Sequence, residues 1–573
     1  MATSDRYPYL TSNVLNQDFL DECHENLTNN LELVVEIDTP AGTIYISDRN
    51  KYVGSTFYEA RTNFPIITRT IGEFLDSVLE FSDLVLKINN VDGKYNDIMP
   101  AGANYDGWIG RSVVVKLGLR DVASTYNTIF EGKITDQGGF QRDVDSFTIR
   151  TRNKFDVLNV EFPKAVFKKS VFPNLENDLE NLVVPIVYGD FTTNVEENAA
   201  SVLAFPVNGL DADVNGETSY SNPVQVVISE NDNVSFDTTQ VYLKRGDTYY
   251  LFNSADIQNV TNNRTFEVRQ SGTTPAGVTL VEGNLYEFAT GDRFVVKVKG
   301  KDLGAYDDNI ISIARDILET HGGLVAGDFD SSWDTYRDKS TPAVSAISTF
   351  KARAWIQDPK GVLEYVLSLL EQVRVELFID RNQKLKLTSL HLDEFESSPS
   401  FTVKNWDVVK DTFQPKIHER NNFNRAKAEF NFLPNRNQQY QETSVFRNEA
   451  AITQQGKEIS KKIIFPNLYE TTIVESQVEE MLRLASGIIE IIDLNLTWRS
   501  MLLDIGDFVK INVSIQSTVF DSVPAMIRDI GADPDGLKIP AKIWSFQMLP
   551  FPGWTPGYSG TVGGSTATIT RET

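Results

Sequence analysis

Residues 500–515, SMLLDIGDFVKINVSI, predict a sharp turn at Gly506-Asp507 followed by a strand whose alternate residues are apolar. Residues 107–119, GWIGRSVVVKLGL, have the same form, with Gly110 standing 396 residues before Gly506. Alternation of apolar and polar residues is typical of a half-buried β-strand, because successive side chains point to opposite faces of a sheet. The chain therefore predicts one turn-and-strand unit at two distant places.

The agreement between the two stretches extends beyond the glycine. An apolar pattern typical of a helix also precedes each copy, over residues 71–79 and 474–485. If the repeat is real, the chain carries two copies of one small β-barrel with a crossing helix, one near each end. The alternative is that any two hairpin regions share a glycine turn and alternating valines. The aligned pairs are Gly110 with Gly506, Val113 with Val509, Val115 with Ile511, Phe130 with Met526, and Ile134 with Ile530.

Composition limits the classes of function. The 573 residues predict roughly three to five domains, and 41% hydrophobic with 23% charged residues predicts a folded chain. The net charge is −25, from 54 basic and 79 acidic side chains, and no Lys/Arg run forms a phosphate-binding stripe, so sequence-specific nucleic-acid binding is not expected. Cys23 is the only cysteine, which excludes an intrachain disulfide and a cysteine-based zinc or iron–sulfur site.

The patterning predicts a mainly β protein with a smaller α+β part. The N-terminus, MATSDRYPYL, lacks the basic start and apolar core of a secretory signal, and no apolar run approaches the roughly 20 residues that span a bilayer. We therefore expect a soluble protein without a membrane-spanning segment. The predicted units are an N-terminal arm or helix over 1–30, a first β-barrel over 31–165, a connector over 166–200, an all-β insert over 201–304, an α+β domain over 305–400, a linker over 401–422, a second β-barrel over 423–550 and a flexible tail over 551–573.

Several phrases of the sequence carry a resemblance to one family. They are LVLKINNVDGKYN (84–96), GWIGRSVVVKLGL (107–119), IFEGKITD (129–136), LVVPIVYGDF (182–191), VLSLLEQVRVELFIDRNQKLKLTSL (366–390) and LLDIGDFVKI (502–511). Together with the order of units, they resemble the baseplate or tail-tip hub protein of long-tailed bacteriophages. The resemblance implies two tail-tube-like β-barrels that flank the all-β insert and the α+β domain.

The resemblance also implies a function and a set of partners. It implies a structural virion protein: a homotrimer that adapts a sixfold tail tube to threefold tip components and helps close or line the DNA channel. Three chains with two like barrels each would present six barrels in one ring. The implied partners are other copies of the chain, the tail tube or distal tail protein, and a tip fibre, spike or plug protein, with DNA only as passing cargo. The implied location is the distal tail of the virion, after synthesis in the host cytoplasm.

Subunit contacts are expected at strand edges and at the helix-bearing faces of the barrels, because an open edge is buried by pairing with another chain. The segments concerned are 108–118, 506–515 and 474–485. The candidate interface residues are Gly110, Val113, Val115, Val474, Val478, Met481, Gly506, Val509 and Ile511.

No motif predicts catalysis, a cofactor or a metal. Asp211, Asp213 and Asn215, followed by a glycine, fit the first half of a calcium loop, but its twelfth position is Asn222 and no helices flank it, so we interpret it as a polar turn. The chain has four histidines without metal-ligand spacing, no Gly-x-Ser-x-Gly elbow and no P-loop. The histidines are His24, His321, His391 and His418.

Two other functions stay open at this point. The segment TYYLF (248–252) in the insert is the support for a carbohydrate-reading adhesin, although core packing also explains its aromatic residues. A cell-wall hydrolase needs a carboxylate pair, which an acidic chain offers in many places. For a channel protein, the acidic balance itself suggests a negative wall that repels passing DNA.

Overall fold

The computed structural model gives the chain as separate described stretches between residues 31 and 572. Described residues are 31–63, 67–70, 84–98, 105–119, 122–135, 140–192, 202–208, 218–220, 223–232, 234–261, 264–269, 279–281, 285–288, 292–304, 308–337, 350–380, 382–390, 401–417, 423–434, 440–486, 488–497, 500, 503–515, 518–532, 538–547 and 569–572.

The first sheet has nine strands, and alternating apolar residues form its core on one face. Its order is β3-β4-β2-β1-β7-β8-β10-β6, with β9 beside β10 and with only β2 and β4 parallel. The elements are β1 Leu31–Thr39, β2 Gly42–Ser47, β3 Lys51–Val53, β4 Thr56–Ala60, β5 Ile67–Thr70, β6 Leu84–Asn89, α1 Tyr105–Trp108, β7 Ser112–Leu119, β8 Val122–Ile134, β9 Gln141–Arg142 and β10 Ser146–Asn153, of which β5 pairs elsewhere.

A connector with two short strands leads to an all-β insert that has its own core. The insert's larger sheet runs β17-β16-β22-β13-β15-β19-β18, and a smaller one runs β14-β21-β20. The chain enters and leaves side by side, since Phe191 N donates to Val298 O (2.9 Å) and Gly300 N to Gly189 O (2.7 Å). The strands are β11 Glu161–Phe162, β12 Ile186–Tyr188, β13 Val202–Pro206, β14 Thr218–Tyr220, β15 Val224–Val227, β16 Val234–Arg245, β17 Thr248–Leu251, β18 Ile257–Thr261, β19 Thr265–Val268, β20 Thr279–Val281, β21 Leu285–Phe288 and β22 Arg293–Lys301.

The α+β part packs two longer helices beside a hairpin. Asn309 caps the first helix, its side chain accepting hydrogen bonds from the backbone N–H groups of Ile311 and Ser312. Strands β23 and β24 pair back to the connector strands β12 and β11. The elements are α2 Ile310–Thr320, α3 Ser332–Arg337, β23 Ala354–Ile356, β24 Lys360–Gly361, α4 Val362–Gln372, β25 Val375–Ile379 and β26 Leu385–Ser389.

Two further sheets complete the chain. One runs β27-β33-β34-β35-β32-β28, and β5 adds to its strand β34; the other runs β31-β29-β30-β36. The helix α6 packs against β29 and β30. The elements are β27 Phe401–Lys404, β28 Gln414–Ile417, β29 Arg425–Phe432, β30 Tyr440–Asn448, α5 Glu449–Gln455, β31 Ser460–Phe465, α6 Thr471–Ser486, β32 Ile488–Leu496, β33 Phe508–Ile515, β34 Thr518–Ala532, β35 Ile539–Gln547 and β36 Ile569–Glu572.

The hydrophobic cores divide the chain differently from its sheets. The first sheet and the insert each enclose a separate core, whereas the α+β part and the last two sheets share one continuous core. In that shared core Leu369 of α4, Phe378 of β25 and Ile527 of β34 belong to one cluster. The α+β part and the second large sheet are therefore one packed body.

The mainly β architecture with a smaller α+β part is confirmed. Two sequence expectations need correction. Residues 401–422, expected as a linker, contribute β27 and β28 to the second large sheet, because Phe401 and Val403 alternate into the shared core. The tail over 551–573, expected to be flexible, contributes β36, which pairs with the edge of β30. The expected N-terminal helix and the helical pattern over 71–79 lie outside the described residues. Within the described stretches, no helix has the length and apolar character needed to cross a membrane.

Candidate assembly site

The two glycine turns have the same backbone geometry. Gly110 and Gly506 have φ of +79° and +75°, in the left-handed region that glycine adopts without a steric penalty. The residue after each glycine closes the turn: Arg111 N donates to Trp108 O (3.3 Å), and Asp507 N donates to Asp504 O (3.2 Å). The repeated Ile-Gly pair therefore marks one turn type that is used twice.

Each turn is tied to the long strand of its hairpin by the same two hydrogen bonds. Gly110 N donates to Ile134 O (2.8 Å) and Ile134 N to Arg111 O (2.8 Å). Gly506 N donates to Ile527 O (2.8 Å) and Ile527 N to Asp507 O (3.0 Å). The counterpart of Ile134 is thus Ile527 and not Ile530. The counterpart of Phe130 is Val523 and not Met526, because Phe130 pairs with Val115 and Val523 with Ile511, so both predicted pairs on the long strands are wrong by three residues. Irregular registers in both β7–β8 and β33–β34 explain the shift, because a bulge changes the residue count without changing the fold.

Four strands follow the same path in both copies. The order β7-β8-β10-β6 in the first sheet matches β33-β34-β35-β32 in the second. In each sheet the last strand of this order, β6 or β32, precedes the other three in the chain. We call these sets the first module and the second module. Their flanks differ, since β1 is antiparallel to β7 while β27 is parallel to β33. The strand β28 covers the outer edge of β32, whereas β6 ends its sheet among the described strands.

The predicted interface side chains lie inside the chain. Burial among neighbours of the same chain assigns these side chains to its cores. The seven nonglycine candidates have exposed fractions of 7% or less: Val113, Val115, Val474, Val478, Met481, Val509 and Ile511.

Exposed apolar side chains mark other parts of the two large sheets. On the first sheet, Tyr52 (67% exposed) and Phe57 (42%) contact each other at a ring-centroid distance of 5.0 Å, on β3 and β4 at one end of the sheet. On the second, Trp406 (59%) and Val519 (67%) lie near the β33–β34 hairpin. The Trp406 segment is joined to that hairpin through the neighbouring asparagine, Asn405, whose side chain accepts from Ser514 N at 2.8 Å. These positions are part of the exposed apolar surface of the two large sheets, which also includes Val85 of β6 (50% exposed).

The hairpin β25–β26 links the two modules. On one side, Gln383 in its turn is 2% exposed, has φ of +57° and bonds to the first sheet: its Nε2 donates to Ile129 O (3.0 Å), and its Oε1 accepts from Glu131 N (3.3 Å) and from Asn153 Nδ2 (3.4 Å). On the other side, Thr388 Oγ1 donates to Gly506 O at 3.2 Å.

The stem of the hairpin is fitted closely to the second module. A Cβ atom at Gly506 would lie 2.5 Å from the Phe378 ring, so only glycine fits the turn at this contact. Glu376 of the stem forms a buried ion pair with Arg528, which also lies over the Trp544 ring at 4.7 Å. Burial raises the pKa of Glu376, and the Arg528 charge opposes that shift.

A single lysine faces four aspartates beside this contact. Lys386 Nζ lies 3.6 Å from Asp507 Oδ1, and Asp504, Asp330 and Asp380 act on it at longer range. Burial alone would lower the pKa of Lys386, but the carboxylates outweigh burial and raise it. Burial raises the pKa of Asp380, although Lys384 N donates to its Oδ1 at 2.8 Å. The lysine charge is therefore the local counterion of the junction.

The part of the chain that the structure describes forms no candidate metal centre. That part contains no group of three or more His, Cys, Asp or Glu side chains arranged to hold a metal ion. His321 lies at the end of α2 against the Phe162 ring (5.0 Å), while the other three histidines and the Asp211 loop lie outside the described residues.

Two observations bear on the alternative functions. Two carboxylates on the second sheet, which a hydrolase could use, are ion-paired: Asp493 with Lys416 (2.9 Å) and Asp529 with Lys542 (2.7 Å). In the TYYLF segment, Phe252 is buried and stacks on Phe294 at 5.7 Å, so part of this aromatic run is core.

The links through the β25–β26 hairpin were not predicted from the sequence. A buried glutamine with positive φ, such as Gln383, has no pattern of its own in a single sequence. The Glu376–Arg528 pair was missed for the same reason, because the partners lie 152 residues apart.

No family model matches the chain, and no curated protein matches its sequence. Among solved structures, the chain is similar to a 43 kDa tail protein of prophage MuSo2 from Shewanella oneidensis, with 12% identity and a TM-score of 0.38 over 90% of this chain and 98% of that one. It is similar to a tail protein from Neisseria meningitidis MC58, with 8% identity and a TM-score of 0.40 over 90% and 96%. A type VI secretion system component of E. coli has 9% identity and a TM-score of 0.32 over 87% and 77%.

Proposed function

We propose that this chain is a non-enzymatic structural protein of a bacteriophage tail, acting as a homotrimeric hub in the distal tail of the virion. The observation that carries the proposal is the duplicated module: one turn, one hydrogen-bond closure and one strand order, used twice in a single chain. The sequence resemblance to tail-tip hubs supports the same function.

Duplication explains how a threefold object meets a sixfold one. A homotrimer has three equivalent subunits, and two like modules in each subunit give six similar sheets around the axis. Such a ring matches a sixfold tail tube on one side, while the insert and the α+β part, present once per chain, keep threefold symmetry for a tip fibre, spike or plug protein.

The sheet edges support assembly. Among the described strands, β6 ends the first sheet, although its counterpart β32 is covered by β28. An uncovered edge presents unpaired backbone groups to another chain. The edge strand β31, by contrast, carries the exposed Lys461 and Lys462, and lysines on an edge discourage pairing. We propose β6 and the exposed aromatic pair of β3 and β4 as subunit contacts.

The experiment is to measure the mass of the assembled protein. Analytical ultracentrifugation of the purified chain, alone and with the tail tube protein, should show a trimer of the 64.4 kDa chain. Electron cryomicroscopy of the particle should then show six similar sheets around a threefold axis. A chain that stays monomeric with its tail partners present contradicts the proposal.

The net charge of −25 suggests how the channel treats DNA. We propose that the wall of the ring is negative, since repulsion keeps phosphates from binding to it during passage. The surface potential of the assembled ring tests this, and a basic wall would contradict it.

A further inference from the structure

We infer that the β25–β26 hairpin fixes the angle between the two modules, and that Gln383 is its positioning residue. The inference rests on the proposed function, because a fixed angle matters for closing a ring of three chains. It assigns to the α+β part a role of its own: holding two copies of one module at the orientation that the ring requires.

The first reason is the distribution of apolar contacts. The second module shares its core with the hairpin, so large apolar contacts hold those two parts together. The core of the first sheet is separate. Two parts with separate cores can shift against each other more easily than two parts that share one core, because apolar contacts between their surfaces are not directional. The orientation of the first module therefore depends on contacts outside its own core, among them directional polar contacts.

The second reason is the geometry of Gln383. The β8–β10 ladder ends at the pair Gly132 and Asn153. Just beyond it, the Gln383 side-chain amide bonds both Ile129 O (3.0 Å) and Glu131 N (3.3 Å), which are the groups a neighbouring strand would bond. Asn153 Nδ2 donates to the same amide oxygen at 3.4 Å. Gln383 thus adds one rung to the first module's ladder from a turn that belongs to the shared core.

The third reason is the support of the turn itself. Asp380 accepts from Lys384 N at 2.8 Å through its side chain and from Gln383 N at 3.0 Å through its backbone carbonyl, which closes the turn and presents Gln383 at its left-handed φ. On the opposite side of the hairpin, Thr388 and Phe378 contact Gly506 of the second module. One short hairpin consequently touches both modules, and at the second of them it touches the repeated glycine turn.

Other links also join the first sheet to the shared core. Because these links remain when the Gln383 amide is lost, we expect the angle between the two modules to vary more widely, and we do not expect the modules to separate. Lys154 Nζ lies 3.1 Å from Asp328 Oδ1. The strand β5 pairs with β34 over four residues, Ile67 to Thr70. The residues that follow β10, including Phe155 and Leu158, enter the shared core.

The experiment compares Gln383→Ala with Asn382→Ala. Alanine keeps a Cβ at position 383, so the backbone cost of positive φ is unchanged and only the amide is lost. Asn382 is the matched control, since its side chain bonds Asp380 within the same turn. Spin labels at Val144 (96% exposed) on the first sheet and Val519 (67% exposed) on the second, in a Cys23→Ser background, report the distance between modules.

Gln383→Ala should broaden the distance distribution and speed hydrogen exchange at the Glu131 amide about tenfold or more, as expected for loss of a buried hydrogen-bond partner. Asn382→Ala should keep the distribution of the parent. A distribution in Gln383→Ala as narrow as in the control would overturn the inference.

The oligomer is a separate readout. Closed trimers should fall in Gln383→Ala and persist in Asn382→Ala. If the parent protein is monomeric with all tail partners present, the proposed hub function fails, yet the spin-label distances still decide whether Gln383 fixes the angle.

Discussion

Replacing the two repeated glycines with alanine should have clearly unequal effects. Both glycines have positive φ and the same hydrogen bonds, so the backbone term is the same in Gly110→Ala and Gly506→Ala. Alanine in the left-handed region costs about 1–2 kcal/mol, and lower entropy of the unfolded chain offsets roughly 0.4–1 kcal/mol of it. The expected net cost at Gly110 is about 1 kcal/mol, because a Cβ there meets nothing within 4 Å.

At Gly506 the same Cβ would lie 2.5 Å from two atoms of the Phe378 ring, well inside the 3.5–4.0 Å of an ordinary carbon contact. Relieving such overpacking costs a further ~1–3 kcal/mol, so the total is about 2–4 kcal/mol. In Gly506→Ala combined with Phe378→Leu, the smaller side chain removes the clash, and the double variant should lose less stability than the sum of the singles.

Native-state hydrogen exchange is the suitable assay, because a chain with several cores does not unfold in one step. The Ile134 and Ile527 amides each donate back to their glycine turn and report its opening. Exchange at Ile527 in Gly506→Ala should accelerate at least about tenfold more than exchange at Ile134 in Gly110→Ala. Equal acceleration in the two variants would refute the steric reasoning and with it the close contact between hairpin and turn.

Three further predictions concern the shared core and the tail. Glu376→Gln should lower stability by about 3–5 kcal/mol, because it leaves the buried Arg528 charge uncompensated, whereas replacing both partners with methionine should be nearly neutral; calorimetry of the shared-core transition compares them. Deleting residues 548–573 removes β36 and leaves the edge of β30 open to pairing with another chain, so the shortened protein should self-associate as its concentration rises. Light scattering measures this, and no self-association would show that β36 does not protect the edge. Asp380→Asn should stabilise the protein at neutral pH. Burial raises the pKa of Asp380 from 3.8, so folding favours the protonated form, and the contribution of Asp380 to stability falls as pH rises through its folded pKa. A lower melting temperature in Asp380→Asn at neutral pH would contradict this.

The sequence was most informative where local pattern and tertiary structure agree. The Ile-Gly turn followed by alternating apolar residues predicted both copies of the hairpin, since a two-residue period and a left-handed glycine are local requirements. On the long strands the alignment was wrong by three residues, at both Met526 and Ile530, because bulges alter the residue count while they preserve pairing. The linker prediction over 401–422 failed because its two strands are four residues each, too short to show a period.

The candidate interface residues show a limit of pattern reading. Val113 and Val509 were selected because they repeat, and they repeat because both belong to a core face that each copy of the fold must fill. Within the chain, the β25–β26 hairpin joins the two modules through residues that lie outside the repeat. Gln383 and Glu376 have no counterpart in any repeat, and their partners lie far away in the chain, so only the folded structure could identify them.

The contrast between the two glycines also separates the roles of the two modules. Gly506 is pressed against Phe378 and its module shares a core with the hairpin, while Gly110 faces open space and its module keeps a core of its own. A chain that must place two like modules around one axis needs one of them as a fixed reference and the other set by directional contacts. The second module fits the role of the fixed reference, and the first module is the one set by directional contacts. The polar contacts of Gln383, rather than further apolar burial, are therefore expected to decide whether three chains close into a ring.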